Sequence, residues 1–255
     1  MNNLICANFL DWLTDNRAAF APGPGLWCTL HIVLMVLFAA WTIAFIFIAF
    51  KYPKFAKKLG AVLAIAMVVM RILRMILMVA SGRFTFVQAL PWHLCHIMCF
   101  ALCIIYFIKP TKFSLPILFL SVLGGTMTFI FGDYYYSATL TFFMYESIFL
   151  HFCLQTVVIC YIASRKPKYN IWDIVSVGVV LAILCGWASL GNYLCPGQNY
   201  MFLQSNGLPF NLFPGHSFWW TYVVMAVIIV GLVALAYVAA VLIKRKKAKK
   251  ARSNG

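Results

Sequence analysis

The chain is short of charge, and of negative charge above all. Only 10% of its 255 residues are Asp, Glu, Lys or Arg, and five of them are acidic. A soluble domain carries about a quarter charged residues, so an ordinary soluble fold is excluded. The composition is 64% hydrophobic, with long apolar runs along the whole length, which places the chain in the multi-pass helical membrane class. The N-terminus lacks the basic start and short apolar core of a cleaved signal peptide: Asp11, Asp15 and Arg17 stand ahead of Pro22-Gly23-Pro24-Gly25. No internal repeat is evident, so nothing in the chain favours an inverted-repeat transporter.

The net charge of +15 invites a nucleic-acid reading, but the positions of the cations argue against one. Sixteen of the twenty Lys and Arg fall within 51–58, 109–112, 165–168 and 244–252, each beside an apolar segment. That is how cytoplasmic loops look under the positive-inside rule, and the last cluster also suits anionic lipid head groups. Membrane lipids, not nucleic acid, are the expected partners.

The pattern predicts an all-α polytopic membrane protein with seven transmembrane helices, the N-terminus outside and the C-terminus cytoplasmic. The predicted spans are about 26–50, 59–79, 89–108, 115–131, 140–163, 171–190 and 218–242. The basic loops follow spans one, three, five and seven, so every connection agrees on the orientation. The domains are then an outer segment 1–25, a seven-helix bundle 26–243 and a basic tail 244–255. Residues 132–137 read as an interfacial aromatic loop. Residues 191–217, uncharged and broken by Pro196-Gly197 and Pro214-Gly215, read as a long outer loop. Cys6, Cys28 and Cys195 would lie near the outer face, where a disulfide is open to them.

Ionisable groups inside a bilayer are costly and mark function. At about 1.5 Å of rise per residue, Arg71 and Arg74 fall in the outer half of span two, three residues apart on one face. His31 lies at the outer end of span one, and His93 and His96 at the outer end of span three. Glu146 and His151 lie in the outer half to middle of span five. Asn192, Asn199 and His216 come from outer loops. The cytoplasmic half is almost purely apolar, Asp173 excepted. One polar pocket toward the outer leaflet is the expectation, with His93 and His151 as acid/base pair. Arg71, Arg74, His96, Glu146, Asn192, Asn199 and Trp92 bind or support. His31 reads as a packing histidine, and the Glu146–arginine pair as glue or as part of the site.

Two histidines from different helices permit general acid/base work near neutral pH, and arginines at that depth would hold a phosphate or carboxylate. The combination suits acyl transfer on phospholipids. A cysteine nucleophile is harder to place. Cys95 is roughly 200° around a helix from His93, which leaves Cys99 and Cys195 as candidates, or direct activation of the acceptor alcohol. A transporter of a small anionic or lipid-like solute could use the same His/Arg/Glu pocket. Histidines on two helices could also ligate haem, His93, His96 and Cys99 part of a zinc site, and seven spans invite a receptor reading. No full metal-ligand set is legible, so neither metal nor cofactor is expected.

At Trp92-His93-Leu94-Cys95 the chain resembles the bacterial YwaF-type membrane proteins, which carry His-Leu-Cys at the outer start of a helix. It is also similar there to the transmembrane protein 164 family of integral membrane acyltransferases, whose animal member is linked to polyunsaturated ether phospholipids. The resemblance continues at Phe149-Leu150-His151, at Gly191-Asn192-Tyr193-Leu194-Cys195-Pro196 and at Asn199-Tyr200-Met201-Phe202-Leu203, spanning roughly 85–240. It implies a multi-pass protein of a cell membrane, here a bacterial plasma membrane, with a histidine-based acyl-transfer site. It selects His93 and His151, with Asn192 and Asn199 as site or loop-ordering groups. One departure stands out: the animal protein carries a cysteine, proposed as its nucleophile, where this chain has Trp92. An acyl-cysteine at that position is impossible here.

Overall fold

The computed structural model describes residues 28–82, 84–111, 113–131, 141–167 and 173–203. They form seven α-helices and no strand: α1 Thr29–Lys51, α2 Pro53–Ala80, α3 Phe86–Ala89, α4 Leu94–Phe107, α5 Ser114–Phe131, α6 Phe142–Arg165 and α7 Asp173–Leu194. A 3-10 turn, Tyr200–Phe202, follows α7. All of them belong to a compact unit, Met1–Leu203. α1, α2, α6 and residues Val175–Leu194 of α7 are long and apolar enough to cross a membrane, and α4 and α5 are shorter apolar helices. The predicted outer segment, the 132–137 loop, the seventh span, the basic tail, His216 and Cys6 lie outside the described residues.

α6 is the central helix and packs against α1, α2, α4 and α5. Every residue from Cys153 to Tyr161 is buried, as expected of a helix apolar all round and surrounded by others. α1 is the opposite case. Its Leu30, Ile32, Val33, Val36, Leu37 and Phe47 are exposed, which is stable only where lipid replaces water as the solvent.

The helices alternate in direction, and contacts at both ends show it. At one end, Tyr106 near the end of α4 donates to Ala56 O and Lys57 O at the start of α2, at 3.3 and 3.0 Å. Arg165, ending α6, donates to Tyr106 O at 2.9 Å, and Tyr161 reaches Ser114 of α5. The basic residues Lys51, Lys54, Lys57, Lys58, Arg165 and Lys166 share this end. At the other end, the starts of α1, α4 and α6 meet the ends of α2, α5 and α7. The polar groups collect there.

Three expected boundaries shift. The basic 51–58 segment is no loop: Tyr52 alone separates α1 from α2, and Lys54, Lys57 and Lys58 belong to α2. Pro53 at the first helical position explains it, because proline's missing N–H costs nothing there and its φ is already helical. α4 begins only at Leu94, so Trp92 and His93 precede the helix, after α3 with its Thr85/Gln88 capping box. α7 runs to Leu194, so Asn192 lies in a helix, not a loop.

Candidate functional site

α2 delivers its arginines to α6. Arg74 Nη1 donates to Glu146 Oε2 at 2.8 Å and to Phe143 O at 3.1 Å, and its guanidinium lies over the Phe143 ring at 4.3 Å. Arg71, one turn earlier, is the looser partner: its Nη1 is 3.7 Å from Glu146 Oε1. Both Arg71 and Glu146 are 1% exposed. Arg71 Nε and Nη1, Arg74 Nε and Glu146 Oε1 find no hydrogen-bond partner among the described residues. Two guanidiniums that cannot lose their protons thus share one carboxylate, and the buried cluster carries a surplus positive charge.

His151, five residues after Glu146, is also buried. Its Nδ1 lies 2.6 Å from Ser147 O and 3.4 Å from Ser147 Oγ, and its Nε2 3.0 Å from Thr128 Oγ1 of α5. A carbonyl only accepts, so Nδ1 carries the proton and the Nε2 lone pair faces the threonine hydroxyl. α5 is held in place from both sides here. His31 of α1 donates through Nε2 to Phe129 O at 3.0 Å, and the Phe129 ring packs against Phe38, His151 and Phe152. His31 is therefore the packing histidine expected.

His93 and His96 remain together, but not through a shared helical face. His93 is the extended residue before α4 (φ −80°, ψ 148°), and its ring meets His96 edge-on at 5.2 Å. The angle drawn between Cys95 and His93 therefore does not apply. Cys95 packs against the main apolar core, while His93 turns to Tyr200, ring centroids 5.2 Å apart. The Met201 N–H approaches His93 Nδ1 at 3.5 Å, from a residue held at a left-handed φ of 55°, a costly conformation outside glycine. His96 is half-buried and lies within electrostatic range of Arg71, His93, Arg74 and His151.

The remaining expected residues build the wall behind His93. Asn192 grips the Tyr200 backbone twice, accepting from its N–H at 2.6 Å and donating to its carbonyl at 3.2 Å. Asn199 opens the 3-10 turn. Trp92 is buried, donates to Val87 O at 2.7 Å and stacks on Trp187 at 4.5 Å. Gly191 makes room for it: a Cβ there would sit 2.6 Å from the indole. Cys195 is buried with Trp92 and Tyr200, and burial pushes the Tyr200 phenol well above its usual range. Cys99 is buried in the main core, its thiol donating to Cys95 O at 3.2 Å. Cys28 and Cys195 are free thiols. Among the described residues no group of three His, Cys, Asp or Glu side chains is arranged to hold a metal ion.

Sequence reasoning missed Thr128, Tyr200 and Trp187. Thr128 had a faint signal, a hydroxyl three and four residues after Gly125 and Gly124 in an apolar span. Tyr200 stood inside the Asn199-Tyr200 motif of the resemblance but was given no role, and Trp187 read as an interface anchor.

No curated protein and no solved structure matches the chain. Residues 25–237 match the TMEM164 family, in keeping with the motifs at Trp92-His93 and His151 and with several apolar helices around a buried polar cluster. The match covers most of the chain, and this multi-pass membrane protein belongs to the TMEM164 family.

Proposed function

We propose that the protein is an integral membrane acyltransferase acting on a phospholipid or a lipid-like substrate. His93 and His151 supply acid/base catalysis, and Arg71 and Arg74 hold the anionic head group. The observation that carries the reading is Arg71. Arg74 and Glu146 already form a short ion pair supported by a carbonyl and a ring. Arg71 adds a second buried cation with unpartnered donors, an arrangement that costs stability and is repaid when an anion binds. A phosphate or carboxylate there would take up the unpartnered Arg71 donors.

The orientation belongs to the same proposal. The basic end of the bundle faces the cytoplasm under the positive-inside rule. The polar end, with the N-terminus, faces outward, and a seventh span leads to a cytoplasmic basic tail in a bacterial plasma membrane. The substrate is then an outer-leaflet lipid, reached through exposed apolar faces.

The test is lipid profiling of cells expressing wild type, His93→Ala, His151→Ala or Arg71→Met at matched membrane levels. Acyl-chain remodelling by wild type, lost in the histidine variants, is the expected outcome. Lipids unchanged in every strain would sink the acyltransferase reading. Solute uptake driven by an ion gradient, abolished by the same variants, would replace it with a transporter.

A further inference from the structure

The structure supplies a nucleophile where the expected cysteine is absent: we propose that Thr128 carries the acyl group as an ester intermediate, with His151 as its base. This rests on the acyltransferase reading above.

Geometry comes first. Thr128 Oγ1 lies 3.0 Å from His151 Nε2, within the reach of a nucleophile and its base. A third group orients the base: Ser147 O accepts from Nδ1–H at 2.6 Å, fixing the tautomer that leaves Nε2 basic. His151 is buried, and Thr128 is less deeply buried than its base. Thr128 Oγ1 also lies 2.9 Å from Gly124 O on its own helix. Its single proton therefore has two acceptors, and rotation about the Cβ–Oγ bond alone turns it toward Nε2.

The surroundings fit an acyl carrier. Gly124 and Gly125, one turn before Thr128, place no side chain beside the hydroxyl. A Cβ on Gly124 would meet only Leu94 of α4, at 3.6 Å, so this face of α5 looks at the helix start next to His93. Cys99 and Cys195, by contrast, sit in apolar clusters.

The step balances. Oγ attacks the ester carbonyl of a phospholipid while His151 Nε2 takes its proton. The tetrahedral intermediate collapses, the ester C–O bond breaks, and the leaving alkoxide takes the proton from Nε2. The hydroxyl of a lysolipid acceptor then gives its proton to Nε2 and attacks the threonine ester. Collapse releases the new lipid ester and returns the proton to Oγ. No oxidant, reductant or metal is consumed.

The test uses purified full-length protein in lipid nanodiscs, with a fluorescent-acyl phosphatidylcholine as donor and lysophosphatidylcholine as acceptor. It compares wild type with Thr128→Ser, Thr128→Val and Thr128→Cys, each checked for wild-type melting. With donor alone, peptide mass mapping is expected to find the acyl mass on Thr128. Thr128→Ser retains transfer within about tenfold, and Thr128→Val loses it by more than about a hundredfold. Thr128→Cys gives an adduct released by neutral hydroxylamine, and this arm stands even if the valine variant fails to fold. Transfer by wild type with Thr128→Val within about threefold of it overturns the nucleophile and leaves the acyltransferase reading intact. An adduct on another residue does the same. Loss in Thr128→Val with no adduct on wild type or Thr128→Cys makes Thr128 a positioning residue for His151 and also overturns the proposal. No transfer by wild type overturns both readings.

Discussion

Glu146→Gln is the substitution whose consequence follows most directly from the structure. Glu146 neutralises Arg74 at 2.8 Å and meets Arg71 at 3.7 Å. At an effective dielectric constant of about 20, those separations correspond to attractions of about 6 and 4.5 kcal/mol. Most of each offsets the cost of taking the ions out of solvent, but removing only the carboxylate leaves that cost standing. It also leaves two guanidiniums repelling each other in an apolar interior, with side chains 2% and 17% exposed. The expected loss is about 3–5 kcal/mol, or a fall in melting temperature of roughly 6–20 °C at 2–4 °C per kcal/mol. Arg71→Met should behave differently. It removes the surplus cation, keeps the short Glu146–Arg74 pair and puts an apolar chain in apolar surroundings, so stability changes by less than about 1 kcal/mol or rises. The double variant should melt above Glu146→Gln alone. Thermal unfolding of detergent-solubilised protein, followed by circular dichroism, measures all three. A Glu146→Gln protein as stable as wild type, or an Arg71→Met protein destabilised as much, would refute the surplus-charge argument and with it the anion site.

Other outcomes can be checked alongside. Gly191→Ala drives a methyl into the Trp92 indole and should cost about 1–3 kcal/mol, read as a lower melting temperature with altered tryptophan emission. Asn192→Ala abandons the Tyr200 N–H and carbonyl at about 1–3 kcal/mol. Because the same turn carries Met201 to His93, transfer activity should fall further than stability does. At the basic end, a Cβ on Gly60 would strike the Tyr106 hydroxyl and lie 2.8 Å from Cys160 Cβ. Gly60→Ala should therefore destabilise the α2–α4–α6 junction and leave the activity of the surviving folded protein unchanged, in a melting and turnover comparison.

The chain's own pattern was enough for the membrane class, the all-helical fold and the gathering of polar groups at one end. Each follows from a rule that acts along the chain. Charge and apolar length fix which segments avoid water, and alternation of direction brings the start of one span beside the end of the next. Arg71, Arg74, Glu146, His93, His96 and His151 were legible because ionisable groups stand out in apolar spans. Thr128 was not, because a threonine in such a span ordinarily spends its hydroxyl on the carbonyl four residues back, and the sequence cannot reveal the second acceptor. The first turn of α4 was misjudged for a related reason. Trp92 and His93 continue an apolar run, but in the fold Trp92 is engaged by Val87, Trp187 and Gly191, and His93, extended before the helix, by Tyr200 and Met201.

The sequence by itself determined that Glu146, a carboxylate inside an apolar span, would need an arginine partner, and that Arg71 and Arg74 stood at its depth. Which arginine it serves was decided by packing. α2 and α6 meet so that Arg74 takes the carboxylate, a carbonyl and a ring, while Arg71 is left buried with donors to spare. Packing of α5 on α6 likewise decided that His151 faces a hydroxyl rather than a thiol. Spacing along a chain fixes which side chains share a helix and a depth. Which of them come within about 3 Å of one another depends on how helices far apart in sequence are turned about their axes.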